Sequence, residues 1–148
     1  MSIRHLDSLF SPRSVAVIGA SDRLHSVGHT VWSNLTAGYK GELHAVNPHH
    51  AELDGKPVFP DLPALAAQCG KGPELAVICT PPETVAGLIA ELGAMGTRAA
   101  VVITAGLSPE QKQAMLEAAR PHTLRILGPN CIGLLVPHLG LNASFAPA

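Results

Sequence analysis

The chain has few aromatic residues: 3% of its 148 residues, with one Trp, one Tyr and three Phe. A core of this composition has to be filled by Val, Ile, Leu and Ala, which favours strands and helices in close aliphatic contact. Charge of one sign is also lacking. Ten basic and eleven acidic side chains leave a formal net charge of -1. That balance argues against a broad nucleic-acid footprint and against a polybasic membrane anchor, but not against a local anion site, because one helix N-terminus with a few donors can hold a phosphate. No apolar run approaches the roughly 18 residues of a membrane span, and the first ten residues do not pattern as a signal peptide. The three cysteines, Cys69, Cys79 and Cys131, are widely spaced, with no CxxC. They predict no disulfide framework and point to a reducing cytoplasm.

What is present is an ordinary globular chain, 47% hydrophobic and of single-domain length, with 14 Gly and 13 Pro marking many turns. Short apolar runs alternate with helical patterns. Val15-Ala16-Val17-Ile18 ends at Gly19, 42–46 ends at Asn47-Pro48, and Leu75-Ala76-Val77-Ile78-Cys79 ends at Thr80-Pro81-Pro82. Two more follow: Ala99-Ala100-Val101-Val102-Ile103 before Thr104-Ala105-Gly106, and Leu124-Arg125-Ile126-Leu127 before Gly128-Pro129-Asn130. Nearly continuous apolar runs are expected of strands covered on both faces of a parallel sheet.

Helix signals fill the gaps. Thr80, Pro81 and Glu83 fit N-cap, N1 and N3 of a capping box ahead of a stripe of Val85, Leu88, Ile89 and Leu92. Ser108, Pro109 and Gln111 repeat that arrangement before Ala114, Met115, Ala118 and Ala119. The segment 28–37 reads as a helix with Val27, Val31 and Leu35 on one side and Gly38 at C′, and 63–68 as a shorter one behind Asp61. Repeated strand–helix–strand units predict an α/β fold, a Rossmann-like doubly wound parallel sheet with right-handed crossovers. No internal repeat or linker divides the chain. The tail 133–148 has weak patterning and ends without a closing helix, which suggests one domain of something longer.

In such sheets ligands bind beyond the carboxyl ends of the strands. The first of these turns, Gly19-Ala20-Ser21-Asp22-Arg23-Leu24-His25-Ser26-Val27-Gly28, follows a buried strand and opens a helix. Small residues there let backbone amides and the helix N-terminus approach an anion. The alternative is an ordinary βα turn. The G-x-G-x-x-G dinucleotide pattern is missing, because Ser21 and Leu24 stand where Gly is required. The second strand ends at Asn47 with no acidic residue for a ribose. His49 and His50 follow Pro48, where imidazoles can meet a phosphate or simply face solvent, and Arg23 or His25 can reach across from the first loop. Metal binding by His44, His49 and His50 lacks zinc spacing. His25 and His29 share a helical face if the helix starts early enough. Cys131 is either a nucleophile or part of a structural turn, and no Ser-His-Asp or Cys-His arrangement is visible.

Five motifs, Ser14-Val15-Ala16-Val17-Ile18-Gly19-Ala20-Ser21, Val46-Asn47-Pro48, Cys79-Thr80-Pro81-Pro82, Ile103-Thr104-Ala105-Gly106 and Gly128-Pro129-Asn130-Cys131-Ile132-Gly133, occur in this order. In order and interval the chain resembles the CoA-binding domain of succinyl-CoA synthetase α-subunits and NDP-forming acyl-CoA synthetases, over about residues 6–145. The tail Gly140-Leu141-Asn142-Ala143-Ser144-Phe145 is most similar to one branch, the bacterial protein lysine acetyltransferases that carry a C-terminal GNAT domain.

The resemblance implies that CoA or acetyl-CoA lies across the strand ends. Gly19, Ala20, Ser21, Arg23, Ser26, Val27 and Gly28 would hold its phosphates. Asn47, Pro48 and His49 would approach the nucleotide end. Thr80, Pro81, Ile103 and Thr104 would line the channel, and Asn130 would shape the turn at the reactive end. Two departures stand out: relatives often carry Lys where this chain has His49-His50, and succinyl-CoA synthetases have an acidic residue at the position of Ala105.

The resemblance further implies that residues 1–148 are the N-terminal CoA-binding domain of a larger protein. Its phosphohistidine, ATP/ADP and Mg sites would lie in downstream domains, so the segment alone would bind and not catalyse. Its partners would be CoA or acyl-CoA and those domains, without nucleic acid or membrane, and with a homo-oligomer possible. The other readings are an NAD(P)-binding oxidoreductase domain and a standalone CoA-binding regulatory protein. A Glu at Gly28 is expected to lower affinity while the fold survives.

Overall fold

The computed structural model describes residues 4–146; Met1 to Ile3 at the start of the N-terminal segment, and Pro147 and Ala148 at the end of the tail, lie outside the described residues. Strands β1 (Ser14–Ile18), β2 (Glu42–Val46), β5 (Leu75–Ile78), β6 (Ala99–Val102) and β7 (Arg125–Leu127) correspond to the five apolar runs. A short hairpin, β3 (Glu52–Leu53) and β4 (Lys56–Phe59), completes a seven-stranded sheet in the order β3-β4-β2-β1-β5-β6-β7. Every pairing is parallel except β3 with β4. Progression runs outward from β1 through β2, then returns to β5 on its other side, so the strand order reverses between β1 and β5.

The period-two alternation of the central strands sends side chains into two separate cores. Val15 and Val17 of β1, with Leu75 and Val77 of β5, face α1 (Leu6–Phe10), α2 (Val27–Gly38) and a C-terminal hairpin, β8 (Gly133–Val136) with β9 (Leu141–Ser144). Ala16, Ile18, Ala76 and Ile78 face α3 (Leu62–Cys69), α4 (Val85–Ala94) and α5 (Pro109–Ala119). β1, β5 and β6 are buried at every position, which is why their sequences read as unbroken apolar runs. The single Trp, Trp32, is fully buried on α2, and its Nε1 donates to Asp54 Oδ2 at 3.2 Å in the β3–β4 turn.

Several local expectations hold. Ser108 and Gln111 make both bonds of a capping box on α5, and Asp61 Oδ1 accepts from the Ala64 amide at 2.9 Å to cap α3. Others need correction. Helix α2 starts at Val27 and includes Gly38, with Tyr39 as its C-cap. His25 precedes the helix with φ 67, so it shares no helical face with His29. Ala114 is exposed, and Met115 and Ala119 carry the buried stripe of α5. Val27 keeps the side it shares with Val31 and Leu35 but is 39% exposed, because it lines a cleft.

Thr80 is not an N-cap. Pro81 precedes Pro82, and a residue before proline is driven to extended ψ, here 154°, so Pro81 cannot be the first helical residue. A 3-10 turn over Pro82–Thr84 intervenes, and α4 begins at Val85 without a side-chain cap.

Candidate functional site

A cleft of about 1120 Å³ opens beyond the carboxyl ends of β1, β2 and β5, at the point where the strand order reverses. Its floor is apolar, made by Ile18, Val46, Leu62 and Leu88. Three loops form its rim: 19–26 after β1, 47–50 after β2, and 79–84 after β5.

The first loop is held close to the sheet by glycine. Gly28 is buried in the first turn of α2, and a Cβ built on it would overlap the Gly19 carbonyl oxygen. Gly19 has φ +96, and a Cβ there would lie 3.0 Å from the Cys79 carbonyl oxygen. Both positions therefore need glycine, one for close backbone approach and the other for its left-handed conformation as well. This close approach brings the N-terminal turn of α2 into the cleft wall.

Ser26 caps that helix. Its Oγ accepts from the His29 amide at 3.1 Å and donates to the Arg23 carbonyl at 2.7 Å, so its hydroxyl is committed to the loop. Val27 and Gly28, whose amides belong to the helix's unpaired first turn, line the cleft at the helix's positive end. Ser21 Oγ accepts from the Arg23 amide at 3.0 Å, which leaves its own proton available to an anion. The Arg23 guanidinium is exposed and makes no ion pair among the described residues.

His29, read from sequence only as a possible face-mate of His25, braces this loop. Its Nδ1 lies 3.2 Å from the Ser21 carbonyl, which can only accept, so Nδ1 carries the proton. Asn47 is a brace as well: its Nδ2 donates to the Ala20 carbonyl at 2.8 Å, and its Oδ1 accepts from the His49 amide at 2.9 Å. One side chain thus ties the second loop to the first.

Of the fifteen positions singled out in sequence, Gly19, Ser21, Arg23, Ser26, Val27, Gly28, Asn47, Pro48, His49, Thr80 and Pro81 line the cleft. The structure does not place Ala20, Ile103, Thr104 or Asn130 on its surface. Ala20 is fully buried in the core behind the loop. Ile103 is buried too, and Thr104 donates through Oγ1 to the Thr80 carbonyl at 2.7 Å, fixing the third loop from behind. Asn130 is exposed with φ 56, and its amide donates to the Thr104 carbonyl at 3.0 Å.

Thr104→Val keeps the shape and removes that donor. Unfolding free energy should fall by about 1–2 kcal/mol, and any ligand that touches Thr80 should weaken a few-fold. Denaturant titration and calorimetry on the same variant measure both.

Sequence reasoning missed the acidic side of the cleft. Asp22, Asp61 and Glu91 also line it, against Arg23, His49 and His50. Their charge gives no simple periodic signal, because they come from three different elements. With three carboxylates and one arginine among the lining side chains, an anion held here would have to draw largely on backbone amides.

Cys79 also lines the cleft, but burial pushes its thiol up to about 12, with the nearby Cys131 thiol adding to the effect. Burial raises the Cys131 thiol too, and its Sγ lies 3.4 Å from the Val102 carbonyl. Both shifts disfavour the thiolate, the form in which a cysteine acts as a nucleophile. All three cysteines are free. Among the described residues, no group of three or more His, Cys, Asp or Glu side chains is arranged to hold a metal ion, His44, His49 and His50 included. No helix among them is long and apolar enough to cross a membrane.

Residues 13–137 match the family model of a CoA-binding domain. The chain belongs to that family. This CoA-binding domain is 32% identical over 146 residues to the α-subunit of an ADP-forming acetate–CoA ligase II from Pyrococcus furiosus, covering 95% of this chain and 31% of that protein. It is 35% identical over 139 residues to an ADP-forming acetate–CoA ligase from Methanocaldococcus jannaschii, covering 91% of this chain and 19% of that one.

Among solved structures, it superposes on the dinucleotide-forming acetyl-coenzyme A synthetase 1 of Candidatus Korarchaeum cryptofilum, in complex with phosphate and ADP, with a TM-score of 0.85. Identity there is 34%, over 96% of this chain and 31% of that one. The CoA-binding domain thus spans about a third or less of the length of these relatives. They carry ligase and synthetase names, and lend no support to the acetyltransferase branch read from 140–145 or to an NAD(P)-dependent oxidoreductase.

Proposed function

We propose that this domain holds CoA for a multidomain, ADP-forming acyl-CoA synthetase of the acetate–CoA ligase kind. The observation that carries the reading is the Gly19–Gly28 contact, which seats the first turn of α2 in the wall of the strand-end cleft. A pyrophosphate at that turn takes the Val27 and Gly28 amides, the Ser21 hydroxyl and the Arg23 guanidinium, with no group having to abandon another partner. The nucleotide end then lies towards Pro48 and His49, and the pantetheine arm follows Thr80 and Pro81 over the apolar floor. Asn47, Ser26 and Thr104 act on the ligand through the loops they fix. Ala20, Ile103 and Asn130 shape the walls from behind.

The parent reaction joins a carboxylate to CoA while a nucleoside triphosphate is split to the diphosphate and phosphate. Phosphoryl transfer through a histidine, and binding of ATP, ADP and Mg, are assigned to other domains of that protein. The three free thiols favour a reducing cytoplasm as its location.

Calorimetric titration of the 148-residue chain with CoA, dephospho-CoA, NAD and NADH in parallel tests the reading. CoA should bind, and loss of the 3′-phosphate should weaken it by about tenfold, the worth of one charge-assisted contact. Tight NADH binding with none for CoA would overturn it.

A further inference from the structure

The rim of the cleft carries an acid–base pair that the phosphate cradle does not use. His50 Nε2 lies 3.8 Å from Asp22 Oδ1. The imidazole is 24% exposed and the carboxylate 72%, so a mostly packed ring meets a mostly solvated anion. They come from different loops, Asp22 from the turn after β1 and His50 from the turn after β2. Behind them, the Asn47–Ala20 bond ties the same two loops. The pair is therefore a second link across the rim, between two loops that line the cleft.

Its charge matters because of where it sits. Asp22 lies beside Ser21 and Arg23 in the loop assigned to the phosphates, and an anion there repels a polyanionic ligand. The other charged and titratable groups facing the cleft are His49 on the same loop as His50, Arg23 beside Asp22, Asp61 just before α3, Cys79 after β5, and Glu91 on α4. Asp61 is committed to capping α3, and among the described residues only His50 pairs with Asp22. An imidazole gains its proton within the physiological range.

We propose that Asp22 and His50 form a proton-dependent positioning pair that sets how tightly the cleft takes a phosphate-rich ligand. With His50 protonated, the carboxylate is neutralised and the two loops are drawn together over the ligand. With His50 neutral, the carboxylate opposes the incoming phosphates. The proposal rests on the CoA reading and adds residues to that same site.

The test is calorimetry with CoA at constant ionic strength, at about pH 6 and about pH 8, on the wild-type chain, Asp22→Asn and His50→Gln. Asp22→Asn should bind CoA about three- to tenfold tighter than wild type at the higher pH, and nearly equally at the lower one. The ligand's own phosphate monoester also titrates near pH 6, so the comparison is between variants. The loss of affinity on raising the pH should be about threefold or more greater in wild type than in His50→Gln.

Binding of CoA by all three chains with one common pH profile overturns the pair and leaves the CoA reading standing. No CoA binding by the wild type at either pH removes both. Thermal midpoints of the three chains should agree, since both substitutions sit on the rim.

Discussion

Gly28→Ala is expected to abolish most CoA binding and to destabilise the fold together. The added methyl overlaps the Gly19 carbonyl oxygen, a backbone atom that cannot rotate away, so the β1–α2 crossover has to shift. Overpacking of this kind costs about 1–3 kcal/mol. Displacement of the turn also removes two amide contacts to a charged group, at about 1.5–3 kcal/mol each, which is a loss of roughly 100-fold or more in affinity. The sequence alone suggested that a Glu here would lower affinity while the fold survived. The geometry moves the cause to the β-carbon, which any residue but glycine carries.

Gly87→Ala is the control. It lies on α4 with nothing within 4 Å of its added Cβ, and should stabilise the chain by about 0.5–1 kcal/mol without touching affinity. Denaturant melts and CoA titrations on both variants decide the matter, and a Gly28→Ala chain with wild-type affinity would mean that the ligand does not use the α2 N-terminus.

The sheet was legible because burial on both faces leaves little choice of residue. Val15 to Ile18 and Leu75 to Ile78 are apolar at every position, and the turns that end them carry residues that line the cleft. The helix signal failed where proline acted on its neighbour: Thr80-Pro81 matched a cap and first turn, but Pro82 held Pro81 extended. The β3–β4 hairpin escaped notice because its strands have only two and four residues. Its turn, Asp54-Gly55, was nevertheless readable, since that dipeptide suits two successive positive φ values, here 51 and 78.

Within the site, motif order found the loops but not the division of labour inside them. Asn47 and Thr104 are motif residues that spend their side chains on carbonyls of neighbouring loops. No single sequence separates such a brace from a ligand contact, because both need a small polar side chain at a strand end. Asp22 and His50 meet only because β2 lies beside β1, a pairing set by the fold and not by sequence distance.

Leu141→Ala is expected to cost about 2–5 kcal/mol, the range for a fully buried leucine truncated in a core. The tail that contains it looked weakly patterned, and yet Leu134, Val136, Leu141 and Ala143 alternate inward from the β8–β9 hairpin onto the core shared with Trp32 and Leu35. Asn34 on α2 fastens the end of the hairpin, donating to the Ser144 and Ala146 carbonyls at 2.9 and 3.0 Å. Gly38 and Gly140 let the two backbones approach further: a Cβ on Gly38 would lie 2.8 Å from the Gly140 carbonyl oxygen. The hairpin thus backs the helix whose other end lines the cleft, where the phosphates are proposed to sit. Leu135, on the same hairpin but 58% exposed, gives the contrast, and its change to Ala should stay within about 0.5 kcal/mol. Urea titrations of both variants with unchanged m-values would confirm one cooperative unit. A loss below about 1 kcal/mol for Leu141→Ala would detach the hairpin from the core, and with it the support it gives to α2.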